Sequence, residues 1–139
     1  MSESNKVKVV EYDLWDSETG EADIVIEFEN GKKIKAFTID SFHDIDDVVD
    51  VNLSLFCKSF EIADNFTSEI LNLNDKYEAR VQGKIIKYIN DEEKGEYIVV
   101  DAGNIFVSIF DDFSEQKNIE SSYFKGQGRL DVEIVGEEW

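Results

Sequence analysis

Alternation of apolar and polar side chains dominates this chain and predicts a mainly β protein. Ile24, Ile26 and Phe28 alternate with Val25, Glu27 and Glu29, and after Asn30-Gly31 a second extended run goes from Lys32 to Asp40. Asn-Gly between two such runs favours a two-residue type I′ hairpin, because both turn positions need positive φ. An earlier strand shows Val7, Val9 and Glu11 on one face and Val10, Tyr12 and Leu14 on the other, ending near Trp15. Residues 1–6, polar after Met1, are expected to fray. Further on, Val51, Leu53, Leu55 and Cys57 alternate with Asn52, Ser54 and Lys58, and only Phe56 breaks the polar face.

Between Phe60 and Leu73 the period changes. Ile62, Phe66, Ile70 and Leu73 recur at helical spacing, which predicts a short helix at about 61–72. The most strand-like stretch of the chain, Tyr77 to Phe113, follows as a long strand with a bulge or bend at Gly83, an acidic turn at Asp91-Glu92-Glu93-Lys94-Gly95, and a hairpin through Ala102-Gly103-Asn104. A last strand places Leu130, Val132 and Ile134 against Asp131 and Glu133. The expected fold is a single domain over residues 1–139, an antiparallel barrel or sandwich of about 7–9 strands with that one helix.

Segments 16–42 and 90–113 share an acidic turn, Gly-Glu, an Ile-Val-Ile or Ile-Val-Val run, an Asn/Gly turn and a closing Asp-x-Phe. Two readings stay open: a duplicated β unit, over 8–57 and 77–135, or two hairpins alike because the same turns demand the same residues. Val81-Gln82-Gly83-Lys84-Ile85-Ile86, Tyr97-Ile98-Val99-Val100-Asp101 and Gly128-Arg129-Leu130-Asp131-Val132-Glu133-Ile134 together resemble part of an OB-fold. That resemblance covers about half the chain and implies a curved, partly open barrel used for binding.

Composition then narrows the function. The chain carries a formal charge of −18, which repels phosphate backbones and anionic membranes over about 8 Å at physiological salt and favours a basic protein partner. Its 139 residues contain no apolar run long enough to span a bilayer and no signal-like start, and its one cysteine suits a reducing compartment, so a cytoplasmic protein is expected. With no proline, chain reversals fall to Gly, Asn and Asp.

Catalytic chemistry finds little to work with. His43, the only imidazole, lies in an acidic stretch with no announced nucleophile, and Cys57 alternates with apolar neighbours as an inert core thiol does. Asp44-Ile45-Asp46-Asp47 fails the EF-hand pattern, since Val48 and Val49 occupy the positions of a ligand and the turn glycine. Zinc lacks ligands, and neither phosphate-binding glycine motif occurs, so no metal or cofactor is expected. The expected function is non-enzymatic: an acidic inhibitor, immunity-type or anti-defence protein that masks a basic surface through Asp44, Asp46, Asp47, Asp50, Asp91, Glu92, Glu93, Asp111 and Asp112. The alternative is an OB-type single-strand nucleic-acid binder using Lys32, Lys33, Lys35, Lys84, Lys87, Tyr88, Tyr97 and Phe106, by phosphate pairing and base stacking.

Overall fold

The computed structural model describes residues 4–16, 18, 21–38, 48–65, 67–73, 78–93, 95–111, 113, 119–120 and 122–134. Over these residues the chain forms strands β1 (Asn5–Asp16), β2 (Glu21–Phe28), β3 (Lys33–Thr38), β4 (Val48–Ala63), β5 (Glu69–Asn72), β6 (Glu78–Asp91), β7 (Gly95–Asp101), β8 (Phe106–Phe110) and β9 (Tyr123–Ile134). They join in one sheet of order β1-β2-β3-β9-β4-β8-β7-β6-β5. Two further pairings, β1 with β4 and β6 with β9, return the ladder on itself. One circuit of pairings therefore runs β1-β2-β3-β9-β4 and the other β6-β7-β8-β4-β9, with the long antiparallel pair β4–β9 common to both.

The two circuits are wired alike. Exchanging β1 with β6, β2 with β7, β3 with β8 and β4 with β9 carries Lys8–Glu27 onto Lys84–Asp101 and Val9–Ile26 onto Ile85–Val100. It carries the parallel pair Phe37–Asp131 onto Phe110–Phe56, and Ser54–Asp131 onto Phe56–Arg129. Leu55–Leu130 maps onto itself, so a local two-fold axis passes through that pair. Even the register shifts correspond, one between Val9 and Glu11 and the other between Ile85 and Lys87.

Burial follows the strand period. Positions 22, 24, 26 and 28 of β2, 34, 36 and 38 of β3, and 124, 126, 128, 130 and 132 of β9 point inward. A buried apolar cluster runs through both circuits, with Ile24, Ile26 and Ile34 from one, Ile85, Ile98 and Ile109 from the other, and Leu53, Leu55 and Leu130 from the shared pair. Two asparagines tie strand edges across the circuits. Asn5 accepts from the Phe106 N–H and donates to the Phe106 carbonyl, both at 2.8 Å. Asn72 does the same for the N–H and carbonyl of Lys35, both at 2.9 Å. Each amide thus stands in for a missing strand residue.

Several expectations need correction. Within 61–72 the described residues form no helix: β4 continues to Ala63, and Glu69–Asn72 is strand β5. The cause is a bulge between Cys57 and Ser59, which shifts the phase so that Val51, Leu53 and Leu55 face inward before it and Phe60 and Ile62 pack on the core after it. Spacings of four fit a strand as well as a helix, and the shift in phase hid the strand. Residues 5 and 6 do not fray, because they pair with Val51 and Asp50 and Asn5 is buried. The Asn30-Gly31 hairpin forms, but only Gly31 has positive φ, at 89°, and Phe28 both accepts from Gly31 and donates to Lys32. Such a turn is type I followed by a left-handed glycine. Instead, the turn with two left-handed residues is Gly103-Asn104, between β7 and β8. Gly83 holds no bulge; its Cα faces the Asp101 carbonyl so closely that no side chain fits.

Candidate functional site

Across the outward face of the shared pair, side chains with rings line up strand by strand. In a sheet, directly paired residues lie on one face, so the pairs Phe37–Asp131, Arg129–Phe56, Phe56–Phe110 and Phe110–Tyr97 define a row over β3, β9, β4, β8 and β7. Phe56 and Phe110 stack with centroids 5.7 Å apart and planes 16° apart, and Phe110 and Tyr97 stack at 4.9 Å. The Arg129 guanidinium lies 5.1 Å from the Phe56 ring centre and 5.2 Å from that of Phe37, within cation–π range of both. Phe56 keeps 43% of its surface exposed, a large outlay of apolar area for a strand whose other face is packed.

Carboxylates surround this row. Asp131 accepts from Arg129 twice, Nε to Oδ1 at 2.8 Å and Nη2 to Oδ2 at 3.0 Å, a fork geometry set by their i, i+2 positions on β9. Partial burial pushes the Asp131 carboxyl up from its usual range, and the Arg129 hydrogen bond and charge pull against that. Exposed Glu133 follows two residues on, Asp23 stands opposite Phe37 on β2, and Asp111 follows β8. Asp23 faces Asp13 across β1–β2, and its Oδ1 is buried without a hydrogen-bond partner among the described residues. A pocket of about 130 Å³ opens where β3 meets β9, lined by Phe37, Thr38, Ser54, Phe56, Asp131, Val132 and Glu133. The ladder of that seam is short: β3 pairs with β9 at Phe37–Asp131 alone, joined there by the Thr38 hydroxyl donating to the Val132 carbonyl at 2.9 Å, and the Lys35 edge is diverted to Asn72, while β4 and β8 pair over four residues.

The expected acidic site is divided. Asp44, Asp46, Asp47 and Asp112 lie outside the described residues, as does His43. Asp50 is exposed at the start of β4, opposite Lys6, and lines a cleft of about 480 Å³ with Gly103 and Asn104. Asp91, Glu92 and Glu93 sit at the β6–β7 turn, at the other end of β7, and Asp111 shares that end. The alternative set divides too. Lys84, Lys87, Tyr97 and Phe106 share the outward face of β6, β7 and β8, whereas Tyr88 pairs with Ile98 and points the opposite way, its hydroxyl bonded to Glu96. Lys33 and Lys35 are outward on β3 and Lys32 lies in the preceding turn, in the other strand circuit from Lys84 and Lys87.

Among the described residues no group of three or more His, Cys, Asp or Glu is placed to hold a metal, and no helix is long and apolar enough to cross a membrane. Burial, assisted by Asp111, pushes the Cys57 thiol up to about 12, far from the range of a reactive thiolate. Family models, curated proteins and solved structures yield no match to the chain.

Sequence reasoning missed Phe110, Phe56 and Arg129 as parts of one site. The available signal was Phe56, the single aromatic on an otherwise polar strand face. Pairing across β4, β8 and β9, which local pattern does not contain, supplies the rest.

Proposed function

We propose that the chain is a non-enzymatic, acidic protein-binding module of inhibitor or immunity type, which masks a basic surface of its partner with the outward face of β3, β9, β4, β8 and β7. The row of stacked rings with a guanidinium set into it, and with Phe56 exposed at its centre, carries this reading. Aromatic residues and arginine dominate the energetically decisive centres of protein interfaces, where acids are normally confined to the rim. Here Asp131, Glu133 and Asp23 form such a rim, and the −18 charge steers a basic partner toward it. The test is titration with hexa-lysine and hexa-arginine peptides and with basic proteins across a range of salt. Binding should weaken steeply as salt rises and fall in Phe56→Ala; a native chain that ignores every basic probe at low salt refutes the reading.

A second reading keeps support from one observation: Lys84, Lys87, Tyr97 and Phe106 do share an outward face with Phe110. On this reading each five-strand circuit is a partly open OB-type barrel, and the rings stack bases of a single strand. Saturable binding of a labelled oligothymidine at low salt, abolished by Tyr97→Ala, would favour it over the protein-binding reading.

A further inference from the structure

We propose that the pocket between Phe37 and Phe56 is the anchor subsite for an arginine side chain of the basic partner. This deepens the reading of the chain as a binder of basic protein and rests on it. Local two-fold equivalence supplies the argument. Against Phe110 the outward position is filled by the Phe56 ring, stacked at 5.7 Å. Against Phe37, the equivalent of Phe110, the equivalent of Phe56 is Asp131, so a carboxylate stands where a ring would close the stack. The Arg129 guanidinium already lies against both rings, and the space left beside it is the pocket of about 130 Å³, walled by Phe37 and Phe56 and edged by Ser54, Asp131 and Glu133.

A guest for this space must be flat enough to stack on a phenyl ring and must carry positive charge for the carboxylates. Guanidinium meets both demands, whereas ammonium meets only the second. The protein already shows the recognition in miniature, for the Arg129 guanidinium lies against the same two rings and forks onto Asp131. Asp131 retains acceptor capacity beyond those two bonds, and exposed Glu133 adds a second carboxylate at the mouth. Asp23, opposite Phe37 on β2, adds negative charge on the far side of the ring.

The experiment is calorimetric titration of the native chain with hexa-arginine and hexa-lysine peptides at low salt, repeated on Phe37→Leu and on Glu133→Gln. Hexa-arginine should bind about threefold to fivefold more tightly than hexa-lysine, the size of an exposed cation–π contact. Each variant should remove most of that preference. Glu133 is exposed, so its variant keeps the fold even where Phe37→Leu lowers the melting temperature. Equal affinity for the two peptides, or an arginine preference untouched by Glu133→Gln and Phe37→Leu, overturns the subsite while leaving the binder reading standing. Failure of the native chain to bind either peptide overturns both.

Discussion

Replacing Gly128 by alanine probes the closest approach in the shared strand pair. Gly128 lies on β9 opposite Cys57, at the bulge of β4. A Cβ there would overlap the Phe56 carbonyl oxygen and lie 2.8 Å from its carbon and 2.9 Å from the Cys57 Cα, where 3.4–4 Å is ordinary contact. Those atoms are all backbone, so no rotamer change relieves the overlap. β4 and β9 must part by about 1 Å, straining the neighbouring Phe56–Arg129 and Leu55–Leu130 pairs. Overpacking of this kind costs about 1–3 kcal/mol, and the upper end applies because rigid strands meet on both sides. The stiffer unfolded chain returns up to about 0.4–1 kcal/mol, leaving a net loss of about 2 kcal/mol. For a chain this long that lowers the melting temperature by about 6 °C. Gly126→Ala is the internal control. Its Cβ would meet the Phe124 ring and the Phe60 Cβ, the latter at 2.9 Å, and the Phe124 side chain has some freedom to turn aside. Thermal melts followed by far-UV circular dichroism should therefore rank Gly128→Ala below Gly126→Ala. A Gly128→Ala chain that melts with the parent, or above Gly126→Ala, refutes the reasoning.

Three further outcomes follow from the same structure. Asn5→Ala deletes both bonds that the buried Asn5 side chain makes to Phe106 and should cost about 2–3 kcal/mol in urea titration, while Asn72→Ala, at a half-buried side chain, should cost less. Cys57 should resist iodoacetamide at pH 8 in the folded state and react readily in urea, since burial holds its thiol protonated up to about 12. The folded value is raised, so the contribution is fully present below the unfolded value near 8.5 and is lost as pH rises from there toward 12. Stability should fall over that range by at most about 1.4 kcal/mol per pH unit, and Cys57→Ser should flatten the slope. Phe56→Ala, which removes a ring 43% exposed, should leave the melting temperature within a few degrees of the parent while weakening basic-peptide binding; a large loss of stability would recast Phe56 as a structural residue.

Strands were legible wherever a single phase of alternation held. β2, β3 and β9 show it plainly, and their buried faces are the ones alternation names. Legibility failed at the Cys57/Ser59 bulge, where one extra residue reverses which parity faces inward, and at the four-residue β5, too short to show a period. For the site, each residue type was visible but the company it keeps was not. Lys87 and Tyr97 share the outward face, whereas Tyr88 lies on the opposite one because the bulge between Ile85 and Lys87 resets the count. Arg129 reads as an ordinary strand cation until β4 places Phe56 beside it and β3 brings Phe37.

The pair β4–β9 also sets an order of events for a growing chain. The first circuit draws on β1, β2, β3 and β4, all made early, yet it closes only through β9, which is synthesised after the other eight described strands. A ribosome that has released the first half has therefore released four strands with an open edge at β3 and at β4. Productive folding must wait for Tyr123–Ile134, and until then the exposed edges are open to pairing with other chains. Conversely, a peptide spanning β9, supplied in trans to a chain lacking it, should complete both circuits at once.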